Sequence, residues 1–276
     1  MSLTRRGISI VELVVALVLT TLLAALCWSI LAAGAFRLRD RSERMSLEHS
    51  LRVVSAAVRA ALEPVGQDSS AGNDLVVALP DRFVTRTTRA SGALCDATST
   101  AFTARATPGW WSALRNPVPG RDSLLVERLS PPSSWEVIPL SGVPYPGACP
   151  DGSPGLVLPV IADSAALAGV GAGAPLRVFE EMELRLYASS GAMWVGLRSL
   201  ATGEAIQPLA GPFATGGLQL QYRSLGGPPT ADPAEVASVL LRVTGLTERA
   251  GGVGISRGPV ARPDSAVMLV IRRNSP

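Results

Sequence analysis

The sequence contains no lysine, so its 25 basic side chains other than the one histidine are all arginines. They are scattered, and no stripe of them alternates with stacking aromatics, which argues against a nucleic-acid partner; the absence of lysine reads as composition bias of the genome. The one histidine, His49, removes most hydrolase chemistry, because neither a Ser-His-Asp nor a Cys-His arrangement can be assembled around it together with a nucleophile motif. A Gly-rich phosphate loop and zinc-ligand spacing are also missing, and no cofactor or metal is expected. The carboxylates Glu180, Glu181, Glu183, Asp68 and Asp74 follow no calcium-loop pattern. Alternating Glu181 and Glu183 is expected to form the solvated face of a strand. The three cysteines are Cys27, Cys95 and Cys149.

What the chain does have is a folded protein's balance of apolar and charged residues, in 276 residues, enough for one large domain or two small ones. Its positive mean hydropathy comes largely from one stretch, Ile8 to Phe36, which is apolar or small almost throughout and contains no proline. At about 1.5 Å per residue such a helix reaches roughly 43 Å, enough to cross a hydrocarbon core of about 30 Å. A cleaved secretory signal is shorter and ends in a small-residue exit that is missing here. Within the run stands one charge, Glu12. A carboxylate in a membrane helix is costly and usually has a partner and a purpose.

Arg5-Arg6-Gly7, then Ile8, then Glu12 at the fifth position after Gly7 and an unbroken apolar run resemble the prepilin signature of the type IV pilin and type II secretion pseudopilin superfamily. The resemblance implies that a prepilin peptidase cuts between Gly7 and Ile8 at the cytoplasmic face and that the new amino group of Ile8 is N-methylated. Glycine before the scissile bond suits this, since it leaves the backbone open to close approach. Glu12 would be the assembly charge, offset by the freed amino terminus of a neighbouring subunit. Ile8 stands where phenylalanine is commonest in the family, and the first proline is Pro64, whereas many major pilins have one within this helix. The first is a tolerated variation, and the second argues against a major pilin, whose helix must melt locally. Basic residues alone would orient the segment the other way, because Arg37, Arg39, Arg41 and Arg44 outnumber Arg5 and Arg6. The leader motif decides the orientation taken here.

Beyond Phe36, Leu47, Leu51, Val54, Val58 and Leu62 form one apolar stripe at helical spacing, opposed by Arg41, Arg44, Glu48, Arg52, Ser55 and Arg59. The helix is expected to run to about Glu63, where Pro64 and Gly66 end it. Short β-like runs follow: 75–79, 123–128, 135–139, 155–161, 176–188, 193–200, 217–224, 236–244 and 266–272. The segments 177–188 and 193–200, joined at Ser189-Ser190-Gly191, predict an antiparallel hairpin. The stretches 69–109 and 131–175, rich in Gly, Pro, Ser and Ala, are expected to be long loops or short irregular strands. Trp110-Trp111 reads as a loop folded onto the core, with a subunit contact as the sharper alternative.

The expected fold is α+β, a long N-terminal helix packed on an antiparallel sheet, as in pilins. Glu183 to Tyr187, Trp194, Arg198, Leu218 to Tyr222 and Val236 to Val243 look similar to the PilW- and J-type minor pilins. The implied organisation is a leader (1–7), a membrane and assembly segment (8–36), an amphipathic half-helix (37–63) and a β-rich periplasmic head (64–276). Cys95 and Cys149 would then share the oxidising periplasm and are expected to pair, with Cys27 inside the membrane helix. Expected partners are the prepilin peptidase, other pilin or pseudopilin subunits and the inner membrane. The alternative is a single-pass anchored periplasmic binding or enzyme domain unrelated to filaments.

Overall fold

The computed structural model describes residues 10–68, 72–129, 134–247 and 262–271. Helix α1 (Ile10–Leu62) runs for 53 residues without a break, as a sequence free of proline and rich in Leu, Ala and Arg permits. It stops where Pro64 cannot continue the ladder, and the last turn closes with the Val65 N–H donating to the Leu62 carbonyl at 3.2 Å. The boundary between Glu48 and His49 separates two compact units: the first holds α1 up to Glu48, and the second holds the remainder of α1 with essentially all of the sheet.

In the first unit α1 is apolar or small up to Ala35, Glu12 apart, and charged beyond it. Ile10–Ala35 is a helix of 26 residues long and apolar enough, by length and composition, to cross a membrane. Its hydroxyls turn back on the helix itself: Thr20 donates to the Ala16 carbonyl at 2.9 Å, Thr21 to Val18 at 2.8 Å and Ser29 to Leu26 at 2.7 Å. Polar side chains satisfied in this way add little cost in an apolar medium.

In the second unit β1 (Gln67–Asp68) and β2 (Gly72–Asn73) pair as a two-residue ribbon. Then follow β3 (Leu75–Leu79), β4 (Arg82–Ala97), β5 (Ala101–Arg105), β6 (Trp111–Ala113), β7 (Ser123–Arg128) and β8 (Ser134–Pro139). Next come β9 (Tyr145–Ala148), β10 (Pro154–Pro159), the single helical turn α2 (Ser164–Leu167), β11 (Pro175–Ser189) and β12 (Ala192–Ser199). The last are β13 (Gln207–Ser224), β14 (Val236–Thr247) and β15 (Arg262–Ile271). From β3 to β15 they form a 13-stranded sheet with the path β15-β14-β13-β12-β11-β4-β5-β10-β9. Among the described residues the strands pair antiparallel, which with α1 makes the class α+β.

Strand β11 is the trunk. One side pairs with β4 along its length, while the other pairs first with β7, at Leu176 to Phe179, and then with β12, from Met182 to Ser189. The β11–β12 hairpin turns at Ser190-Gly191, where both residues have positive φ, 51° and 78°. That is the backbone a two-residue hairpin turn with the sheet's own twist requires. On β13, Leu218, Leu220 and Tyr222 are buried while Gln219 and Gln221 face out, and on β14 Val239, Leu241 and Val243 are buried while Arg242 is exposed.

The stretch 69–109, expected to be loop or irregular strand, instead holds β4, 16 residues long, and β5. Strand β4 has no clean two-residue period, because a bulge interrupts it: Val178 faces Ala90 but Phe179 faces Thr88, leaving Arg89 as the extra residue. Its β-branched Val84, Thr85, Thr87 and Thr88 suit a strand that packs on both faces. In the stretch 131–175, β8 and β10 match the expected runs 135–139 and 155–161 while β9 is unexpected, and β13 begins ten residues before the predicted start at 217.

Two buried clusters anchor the second unit. Leu51, Val54, Val58 and Leu62 of α1 are all buried. Within this unit Ser50 donates to the Gly211 carbonyl at 3.3 Å and the Arg59 guanidinium meets the Met268 sulfur at 3.6 Å, which seats the helix against β13 and β15. The other cluster gathers Leu94, Phe102, Leu124, Ile138, Leu158 and Leu176 from β4, β5, β7, β8, β10 and β11. Trp111 packs against it, lying over Gly92, where a Cβ would come within 2.7 Å of the indole.

Candidate functional site

Two places concentrate unusual chemistry: the carboxylate at the start of the apolar helix, and a set of carboxylates sunk into the sheet. Gly7 and Ile8, with the rest of residues 1–7, lie outside the described residues. Glu12 sits in the first turn of α1, exposed, among exposed Val11 and Leu13. A negative side chain in the first turn is favoured by the partial positive charge at the amino-terminal end of the helix dipole. Cys27 is a free thiol on the exposed surface of the same apolar run, and His49 is exposed further along α1.

Cys95 and Cys149 form a disulfide with a Cα–Cα distance of 5.6 Å, both sulfurs' residues buried. Cys95 is on β4 and Cys149 follows β9, so the bridge ties β9, the outermost strand at that end of the sheet, and its neighbour β10 to β4. Beside it the Arg105 guanidinium reaches Asp151 at 2.7 Å and Ser153 at 2.8 Å and lies 5.8 Å from the centre of the Trp110 ring. The Ser153 hydroxyl and N–H, with Arg105, hold the Asp151 carboxyl below the usual carboxylate range. Trp110 is thus half exposed and stacked, while Trp111 is part of the core surface.

The sheet carboxylates correct the expectation of a solvated face. Glu183 is buried and accepts from Arg198 at 2.6 Å and Arg82 at 3.4 Å; only Glu181 is partly open to solvent, with Arg86 at 3.9 Å. Glu180 is fully buried and meets three arginines: Arg89 at 2.8 Å, Arg115 at 3.0 Å and Arg121. Arg115 also grips Asp122 through two bonds of 2.6 and 2.7 Å, and Arg121 reaches Glu204 at 2.7 Å. The bond to Asp122 does most to raise the Arg115 pKa. Asp74 accepts the Gly66 N–H at 3.0 Å and Arg177 at 3.1 Å, which fastens the chain just after α1 to β11; Arg177 in turn stacks on Trp135 at 5.3 Å. Asp68 lies on β1.

Burial works against ionisation of Glu180, but the Ser199 hydroxyl and the guanidiniums of Arg115, Arg121 and Arg89 outweigh it and hold its pKa at about 2. At neutral pH this carboxylate is an anion whose lone pairs are already taken, an arrangement that pins the loop carrying Arg115 and Arg121 to the trunk and is poorly suited to proton transfer. Among the described residues no group of three or more His, Cys, Asp or Glu is placed to hold a metal ion. Sequence reasoning missed Arg89, Arg115, Arg121 and Asp122 altogether. The three arginines reach Glu180 across 59 to 91 residues of chain, which no local pattern marks, whereas Arg115 and Asp122 stand seven residues apart in a loop without a regular period. The chain matches no family model, no curated protein and no solved structure.

Proposed function

We propose that this chain is a minor pilin or pseudopilin, a structural subunit of a type IV pilus or type II secretion pseudopilus, held in the inner membrane by Ile10–Ala35 before assembly. The observation that carries the reading is the combination in one helix of Glu12 in the first turn, a 26-residue apolar run, and a continuation that lays a buried stripe into an antiparallel sheet. An anchor alone needs no carboxylate at that position and no structural continuity with the domain behind it. In this reading the prepilin peptidase cuts between Gly7 and Ile8, Ile8 is N-methylated, and Glu12 is neutralised by the amino terminus of the next subunit. The Cys95–Cys149 bridge supports a head on the oxidising, periplasmic side. The large carboxylates are committed to arginines, which supports a structural rather than a catalytic role.

A second reading, a membrane-anchored periplasmic binding or enzyme domain, is favoured by one feature, the size of the 13-stranded sheet. Co-expression with a prepilin peptidase separates the two. Wild type is expected to lose its leader and Gly7→Val to keep it, because a β-branched side chain obstructs the backbone approach. Equal behaviour of the two proteins would discard the pilin reading.

A further inference from the structure

Just past the apolar run, α1 exposes a surface on which arginines and apolar side chains alternate. Arg37 and Arg41, one helical turn apart, are both exposed. Leu38 and Met45, two turns apart on the adjoining face, are 67% and 65% exposed. At about 1.5 Å per residue, Arg37 lies roughly 3 Å and Arg41 roughly 9 Å past Ala35, the end of the apolar run. A headgroup layer is about 5–7 Å deep on each side of the hydrocarbon, so the Arg37 backbone lies within it and that of Arg41 about 2 Å beyond it, from where a long arginine side chain reaches back. These heights are set by the helix, which is continuous through this region.

We propose that Arg37 and Arg41 form a binding site for anionic phospholipid headgroups, with Leu38 lying beside the boundary with the acyl chains; the proposal rests on the reading of Ile10–Ala35 as a membrane span. A guanidinium presents planar paired donors that match phosphate oxygens and is more weakly hydrated than an ammonium, so it suits the half-dry headgroup region. Leu38, which stands between the two arginines, selects a lipid surface over dissolved phosphate, because a soluble anion would leave it in water. The segment from Arg37 to Arg44 sets four arginines against Asp40 and Glu43, leaving it positive. The site also gives a physical place to the basic flank that the positive-inside rule would put in the cytoplasm: on the far side it rests on the anionic lipids of that leaflet.

The test uses the full-length chain reconstituted in phosphatidylcholine vesicles carrying spin-labelled phosphatidylglycerol or phosphatidylcholine, with alkaline carbonate extraction in parallel. Phosphatidylglycerol is expected at the protein boundary in preference to phosphatidylcholine by at least about fivefold at low salt, falling as salt rises. R37Q/R41Q should lose this by up to about fivefold per arginine while remaining carbonate-resistant, and R37K/R41K should keep most of it. A preference unchanged in R37Q/R41Q, or removed by R5Q/R6Q instead, would overturn the site. A chain retained by the membrane that does not discriminate the two lipids overturns the proposal alone. A chain that carbonate washes out overturns the membrane span and the site together.

Discussion

The two ends of α1 place the same kinds of side chain in opposite surroundings. Between Ile10 and Leu31 the large apolar residues, Trp28 among them, stand exposed, whereas from Leu51 to Leu62 every member of the apolar stripe is buried. Periodicity distinguishes them: the first segment is apolar all round, and the second is apolar on one stripe with arginines opposite. A helix that is apolar all round and lacks protein cover calls for a non-aqueous solvent or for neighbouring chains. A striped helix is completed by its own sheet. One continuous helix thus carries an association surface at one end and a core element at the other.

The sharpest break of that comparison is to shorten the helix from either side of the divide. A chain beginning at Arg37 should be soluble without detergent and melt cooperatively. A chain beginning at Glu63 should not fold, since Leu51, Val54, Val58 and Leu62 alone contribute about 1.5–3 kcal/mol each, comparable with the whole net stability of a domain. Circular dichroism melting of both would decide it, and equal cooperativity would make the second half of α1 a mere spacer.

A smaller loss is expected from Glu180→Ala, which leaves Arg89, Arg115 and Arg121 facing one another without their shared anion. Removing one partner of a buried charged set costs about 3–5 kcal/mol, measurable as a drop in denaturant midpoint. The same residue gives a pH signature. Its folded pKa, about 2, lies below the ordinary 4.5, so its stabilisation is present above the ordinary value and is lost as pH falls from about 4.5 through about 2. Glu180→Gln should flatten the stability profile in that window; an unchanged profile would remove Glu180 from the acid response.

Replacing Cys95 and Cys149 by serine should cost about 2–4 kcal/mol, because the bridge closes a sequence separation of 54 residues. Thermal melting with and without reductant checks this, and two free thiols in the oxidised protein would refute the pairing itself. The least effect is expected from Leu22→Ala, at a position 62% exposed in the apolar run: the melting temperature of the second unit should not move. A clear drop there would mean that the apolar run is covered by the protein's own fold.

The helical part of the molecule was largely legible from the sequence, because α1 carries its own signals: no proline before Pro64, an all-round apolar run and then a stripe. The β11–β12 hairpin was legible for the same reason, its turn residues lying next to alternating strands. Strand β4 was not. Its partner β11 lies about 90 residues away, and the bulge at Arg89 breaks the alternation that would have announced it. Glu181 and Glu183 share a strand face by spacing, but whether that face is wet depends on Arg82 and Arg198 arriving from β4 and β12, which spacing cannot report.

The central claim is that the apolar end of α1 is the processed, assembling end of a filament subunit. Mass spectrometry of the amino terminus of the protein recovered from cell membranes tests it most directly. The account predicts a chain beginning at Ile8 and carrying one extra methyl group on its amino nitrogen. An intact chain that still carries Gly7, or one cut elsewhere without methylation, would contradict it.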